Sequence, residues 1–144
     1  MQTLGDDDVQ SVLNVLKKNT YLTTGPKVNE FEEKVSVYVG VNYGVAVNSG
    51  TAALHCAMFA AGISVNDEVI VPSISWATTF YPLQQYGLKL KFLDVELDTL
   101  NMDVSRIEEA LTPKTRMVVA VSILGNPCAL DKLRAFCNQH ALYL

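Results

Sequence analysis

The sequence lacks the features that mark several common classes of protein. Its three cysteines are too few for the disulfide framework of a small secreted domain. A net charge of −4 offers no basic surface of the kind that binds nucleic acid. No apolar run approaches the ~20 residues that cross a bilayer, and the acidic start MQTLGDDDVQ has no export signal. These absences predict a cytoplasmic protein without a nucleic-acid or membrane partner.

The cysteines are also too scattered along the chain to form a metal site. We interpret Cys56, Cys128 and Cys137 as small apolar side chains in a reducing compartment. What the chain does contain is 49% hydrophobic and 18% charged residues. That balance is typical of an ordinary globular protein and excludes a disordered chain.

Hydrophobic spacing predicts two helices followed by an alternation of strands and helices. The first helix covers residues 6–16, and the second begins at Pro26 and ends at Gly40. The predicted strands are YGVAV, EVIVP, LKFLDV and RMVVAVSI, and the helices between and after them cover 51–61, 75–86, 104–111 and 129–140. The final residues, ALYL, match the start of another strand. This alternation predicts an α/β fold with a mostly parallel sheet flanked by helices.

The stretch AVNSGTAALHCAM, residues 46–58, has the composition of an anion-binding helix start. A turn of small residues enters an alanine-rich helix, whose free N–H groups and dipole favour a phosphate. Gly50 allows a ligand close to the backbone, and the hydroxyl of Thr51 adds a donor. The alternative is an ordinary helix cap, which is the commoner role of such a turn. The stretch is neither a P-loop nor the dinucleotide motif Gly-x-Gly-x-x-Gly.

The single tryptophan, Trp76, follows the strand EVIVP on a loop that enters a helix. In a parallel sheet this position lies at the carboxyl edge, where ligands bind. An indole there can stack on a flat ligand ring. The alternative is a partly buried side chain that packs the loop, and both interpretations stay open.

Four motifs, in this order and spacing, resemble the nucleotide-sugar aminotransferases of the DegT type: NSGTAAL, DEVIVPSISWATT, FLDVELDTLNMD and ILGNP. The resemblance runs from about Leu22 to the last residue. Members of this family are fold-type I enzymes that use pyridoxal 5'-phosphate (PLP). The resemblance therefore implies the N-terminal half of a PLP-binding large domain at residues 27–144, preceded by an N-terminal helix and arm at 1–26.

The resemblance also assigns roles to individual residues. The residues that it places in the cofactor or substrate site are Ser49, Gly50, Thr51, Ala52, Trp76 and Asn126. The Gly-Thr-Ala segment corresponds to the family's phosphate-binding residues, and Trp76 to the aromatic residue stacked on the pyridine ring. Ser49 and Asn126 are the weaker members of the set. An Asn before Pro127 is more typical of a turn.

The catalytic centre is the part of the site that the resemblance does not find in this chain. The lysine that binds PLP covalently and the acid that pairs with the pyridine nitrogen correspond to positions beyond residue 144. We therefore expect no catalytic residue here and no transamination by this chain alone. The sequence leaves open whether it is a natural truncation or a fragment.

For the parent enzyme the resemblance implies amino transfer from glutamate to a nucleotide-linked keto-deoxysugar. The expected pathway is lipopolysaccharide or O-antigen sugar biosynthesis, and the expected assembly is a homodimer. The chain looks close to a subgroup that contains keto-deoxymannose dehydratases, which have a histidine in place of the lysine. Since the discriminating residue lies outside the chain, a sugar 3-dehydratase stays an alternative.

Two interpretations from other classes stand beside the enzyme. One is a non-enzymatic stub that associates with itself through an uncovered strand edge and apolar face. The other is a Rossmann-like nucleotide binder, which only the generic strand–helix alternation favours. The missing Gly-x-Gly-x-x-Gly motif argues against that second alternative.

Overall fold

A computed structural model describes residues 4–18 and 21–144 of the chain. The chain divides into two compact units, Met1–Val47 and Asn48–Leu144. Within the described residues, no helix has both the length and the apolar character that a membrane span requires. The division of the parent protein after residue 26 stays a prediction.

The described part of the first unit consists of two helices, α1 (Asp6–Lys17) and α2 (Pro26–Val39). Pro26 occupies the first turn of α2, where its missing N–H costs no hydrogen bond. Gly40 ends the helix with φ 75°, in the left-handed region that glycine adopts without a steric penalty. The predicted start and end of α2 are therefore confirmed.

The predicted strand YGVAV is absent from the structure. Residues 43–47 have no regular secondary structure, and they pair with no strand of the described chain. The N–H of Ala46 instead donates to Glu32 Oε1 at 2.8 Å. An apolar run becomes a strand only where a neighbouring backbone supplies donors and acceptors. The prediction of a strand was wrong because the pattern of apolar residues does not show whether another strand lies close enough to pair.

The second unit is an α/β structure, as predicted. Its elements in chain order are α3 (Gly50–Ala60), β1 (Glu68–Pro72), α4 (Ala77–Gln85), β2 (Lys89–Leu93), α5 (Ile107–Ala110), β3 (Thr115–Val118) and α6 (Leu130–Gln139). A 3₁₀ turn, Val104–Arg106, leads into α5, and a second, Ile123–Gly125, follows β3. The strands are parallel in the order β2-β1-β3. Tyr143 forms a single parallel bridge to Met117, so one residue of ALYL pairs as a strand residue would, although residues 141–144 form no strand.

Helices cover both faces of this sheet. Successive side chains of the central strand β1 point to opposite faces, and Val69, Ile70 and Val71 are all fully buried. Val69 and Val71 pack with Met58 of α3 and Leu83 of α4. Ile70 belongs to a second cluster with side chains from α5 and α6. Burial on both faces explains why this strand is a continuous apolar run in the sequence.

Candidate functional site

The start of α3 combines a helix cap with free backbone donors. Ser49 caps the helix, and its Oγ accepts the N–H of Ala52 at 3.2 Å. The N–H groups of Gly50 and Thr51 have no acceptor within residues 4–18 and 21–144. A Cβ added at Gly50 would meet no atom within 4 Å. A phosphate fits this position, because two donors are free and no side chain obstructs the approach.

Chain direction places this helix start on the carboxyl side of the sheet. Residues 61–67 connect α3 to β1, and Met58 packs with β1 side chains. Since the connection is short and α3 lies on the sheet, the helix runs antiparallel to β1. Its N-terminus therefore lies toward the carboxyl ends of the strands, where parallel α/β sheets bind ligands.

Trp76 lies where the chain leaves this same side of β1. It is the N-cap residue of α4, with φ −70° and ψ 141°, and its side chain is 76% exposed. The turn is held by Thr79, whose N–H donates to the Trp76 carbonyl at 2.9 Å. Its hydroxyl bonds to Ser75 Oγ at 2.8 Å. Because the indole contributes so little to packing the loop, its ring faces are available to a ligand.

The helix that carries the free N–H groups, α3, packs against the helix that begins at Trp76, α4. Met58 and Leu83 lie in the same buried cluster. On the surface, His55 Nε2 and Gln85 Oε1 form a hydrogen bond of 3.2 Å between the two helices. These contacts assign His55 to the helix interface. They fix the spacing between the two helix starts that carry the predicted site residues.

Asn126 lies on the loop that follows β3. It ends the second 3₁₀ turn, and its exposed side chain donates to the Thr99 carbonyl through Nδ2 at 3.4 Å. The side chain therefore links the loop after β3 to the segment between β2 and α5. The structure shows no further partner for the Asn126 side chain among the described residues.

A polar residue that sequence reasoning missed supports the same loop. Asn101 is only 4% exposed. Its Oδ1 accepts the Ile123 N–H at 3.1 Å, and its Nδ2 donates to the carbonyls of Asn126 and Pro127 at 3.1 and 3.3 Å. The only sequence signal was an amide directly before an apolar residue in the motif FLDVELDTLNMD.

The first unit contains a cavity that is separate from these residues. Its volume is about 490 Å³, and it is lined by α1, the segment after α1 and the start of α2. None of the predicted site residues lines it. In this chain, cavity volume does not locate the predicted cofactor site.

The sequence matches the DegT/DnrJ/EryC1/StrS aminotransferase family over residues 2–144. The chain belongs to this family. The resemblance inferred from the four motifs is thereby confirmed. Membership by itself does not fix the reaction, because similar proteins in the family include both a 3-dehydratase and an aminotransferase.

One relative is GDP-4-keto-6-deoxy-D-mannose 3-dehydratase from Escherichia coli. It is 38% identical over 149 residues, which cover 99% of this chain and 38% of that protein. The chain therefore spans well under half the length of this relative. The activity, substrates and partners of a whole family member are proposals for this chain.

Solved structures of family members share the fold. A GDP-4-keto-6-deoxymannose-3-dehydratase with a trapped PLP–glutamate adduct superposes with a TM-score of 0.88 at 35% identity, covering 100% of this chain and 39% of that one. An aminotransferase from Psychrobacter cryohalolentis superposes with a TM-score of 0.92 at 30% identity, covering 98% and 36%. A mutant of a dehydratase of the same name was solved with bound GDP-perosamine. The predicted fold-type I architecture is confirmed.

Proposed function

We propose that residues 48–144 form one wall of the PLP site in an enzyme that acts on a nucleotide-linked keto-deoxysugar. The chain then corresponds to the N-terminal part of the enzyme's large domain. The free N–H groups of Gly50 and Thr51 carry the proposal, because a phosphate dianion requires donors that no protein group already uses. Family membership and the PLP adduct in a related structure support it.

The residues of this wall bind and orient the cofactor. Gly50 and Thr51 donate backbone N–H groups to the phosphate, and the Thr51 hydroxyl adds a third donor. Ser49 holds the turn in place through its bond to Ala52, which lines the same turn. Trp76 covers one face of the pyridine ring and excludes water from it. When bound, PLP supplies the electron sink of the reaction.

For the reaction we propose amino transfer from glutamate to the keto-sugar. The glutamate adduct in a family structure supports glutamate as the donor. The proposed setting is lipopolysaccharide or O-antigen sugar synthesis by a cytoplasmic homodimer. These three attributes follow from the family resemblance.

A second candidate, removal of the sugar's 3-hydroxyl, is favoured by the 38% identity to a 3-dehydratase. One assay distinguishes the two reactions: the full-length protein is incubated with PLP, glutamate and GDP-4-keto-6-deoxymannose. Mass spectrometry detects an amine in place of the keto oxygen for the first reaction. For the second it detects a sugar that has lost a hydroxyl and kept its keto group.

The site assignment is tested by Thr51→Ala combined with Trp76→Ala in the full-length protein. Removing a phosphate donor and a stacked ring is expected to raise the Kd for PLP about tenfold or more. PLP absorbance during equilibrium dialysis measures this change. Ser105→Ala combined with Tyr81→Ala is the matched control, since it removes an exposed hydroxyl before α5 and an exposed ring in the middle of α4, and neither residue belongs to the two helix starts. Unchanged PLP occupancy in the first double variant contradicts the assignment.

The rival interpretation, a stub that only associates with itself, makes a different prediction for the 144-residue chain. It requires a concentration-dependent size on gel filtration together with no uptake of PLP. Titration with PLP, followed by its absorbance, tests the stub. Saturable uptake that Thr51→Ala weakens excludes the stub.

A further inference from the structure

One buried amide connects two loops on the carboxyl side of the sheet. Asn101 lies in the segment between β2 and α5, and all three hydrogen bonds of its side chain go to the loop that follows β3, residues 122–127. A buried amide is costly to leave unpaired. The position of Asn101 and the shape of loop 122–127 are therefore coupled.

The loop holds a residue in an unfavourable backbone conformation. Leu124 has φ 52° and ψ 24°, and it is followed by Gly125 with φ 80°. A leucine in the left-handed region is strained, and at 91% exposure its side chain gains little packing in return. Such strain persists only where the surroundings over-determine the backbone.

The hydrogen bonds of Asn101 supply that constraint. They reach the chain on both sides of Leu124, at Ile123 before it and at Asn126 and Pro127 after it. At the base of the loop, Cys128 donates its N–H to Ser122 Oγ at 3.4 Å. Removing the amide of Asn101 leaves the left-handed turn without its central support.

Loop 122–127 lies where a ligand of the proposed enzyme would reach it. It follows β3, which pairs in parallel with β1, and β1 leads to Trp76. Both loops therefore leave the same edge of the sheet, the edge at which parallel α/β proteins bind ligands. Leu124 and Asn126 are exposed on this loop.

We infer that Asn101 is a positioning residue that holds loop 122–127 in the shape that receives the nucleotide-linked sugar. This inference rests on the proposed function. Asn101 touches neither cofactor nor sugar in this scheme, because it is buried beneath the loop. Its role is to keep the binding conformation populated before the ligand arrives.

Variants of Asn101 and Leu124 in the full-length protein separate loop shape from general stability. Asn101→Asp keeps the acceptor for Ile123 and loses both donors. Leu124→Gly loosens the loop without touching the core, whereas Leu124→Asn removes the same side chain but keeps a residue that tolerates left-handed backbone. Thr115→Val is the stability control: it deletes a buried hydroxyl that accepts the Thr112 N–H at 2.9 Å, at the opposite end of β3.

Two measurements are made on each variant. Hydrogen exchange reports the amides of Gly125 and Asn126, and calorimetry gives the Kd for GDP-perosamine. If the binding conformation of the loop falls to about a tenth of the population, the apparent Kd rises about tenfold. We expect this rise, together with faster loop exchange, for Asn101→Asp and Leu124→Gly. Leu124→Asn, Thr115→Val and the Kd for PLP in every variant are expected to stay near wild type.

The outcomes separate this inference from the proposed function. If wild type binds GDP-perosamine and Asn101→Asp and Leu124→Gly bind it equally well, the inference alone is overturned. An equal loss in Thr115→Val shows a stability effect and overturns it too. An equal loss in Leu124→Asn and Leu124→Gly shows a side-chain contact, which also contradicts positioning. If wild type binds PLP but no GDP-perosamine, the inference is overturned while the PLP site stands. If wild type binds neither, the proposed function is wrong.

Discussion

The two helices of the first unit and the four helices of the second differ in what they bury. Among the described residues, α1 has no buried side chain, and α2 buries only Ser36. In the second unit, side chains from α3 and α4 pack on one face of the sheet and side chains from α5 and α6 on the other. The apolar stripe of α1 is exposed, although its spacing is that of a core-facing helix.

This difference shows that local signals can define a helix without a core beneath it. The first turn of α1 contains three aspartates, and the side chain of Asp8 accepts the Gly5 N–H at 2.9 Å. These acidic groups favour a helix N-terminus through its dipole. The second unit adds tertiary packing, which supplies most helical stability in proteins. The comparison therefore predicts unequal responses to the same substitution.

The largest expected difference is between two leucine truncations in the full chain. Leu133→Ala removes a fully buried side chain of α6, and we expect it to lower the free energy of unfolding by about 2–5 kcal/mol. Leu16→Ala in α1 removes a side chain that is 52% exposed, with an expected change of about 0.5 kcal/mol or less. Urea denaturation measures both. Equal losses would show that α1 is covered in solution.

A smaller effect is expected from glycine substitutions, one in each unit. Gly40→Ala forces a Cβ into left-handed backbone at the end of α2, at a cost of about 1–2 kcal/mol. Gly50 has neither a positive φ nor a near neighbour for a Cβ, so Gly50→Ala is expected to leave the unfolding free energy almost unchanged. Thermal unfolding followed by circular dichroism compares the two. A large loss for Gly50→Ala would assign that glycine to folding rather than to the ligand.

The smallest expected effect concerns surface charge in the first unit. Hydrogen bonds from Lys27 and then Lys34 lower the pKa of Glu30 from 4.5 to about 2. Because the folded pKa is below the unfolded one, the ion pairs contribute stability above pH 4.5, and this contribution is lost as the pH falls through about 2. All three groups are exposed, so the contribution is small and screened by salt.

An NMR titration of the Glu30 carboxyl group measures whether its pKa is lowered in the folded chain. Lys27→Met is expected to move the midpoint up toward 4.5, whereas Lys17→Met, on α1, is expected to leave it in place. A wild-type midpoint near 4.5 would contradict the ion pairs.

The elements with strong local signals were predictable from the sequence, and those that depend on distant partners were not. Pro26 and Gly40 mark the ends of α2 because their backbone preferences are intrinsic. The run EVIVP is a strand because both of its faces are buried. YGVAV is also rich in apolar residues, but it pairs with no strand among the described residues. Strand formation requires that partner, and composition does not reveal it.

The same distinction applies to the candidate site. The sequence by itself determined a helix start close to Thr51, the aromatic residue at Trp76 and the family, because glycine, small hydroxyl residues and motif order are local properties. Only the tertiary structure decided that the Gly50 and Thr51 amides are free, that the indole is exposed and that Asn101 supports loop 122–127. The hydrogen bonds of Asn101 join residues that are more than 20 positions apart in the sequence. They form only because the sheet brings its loops to one edge, and spacing along the chain does not reveal that proximity.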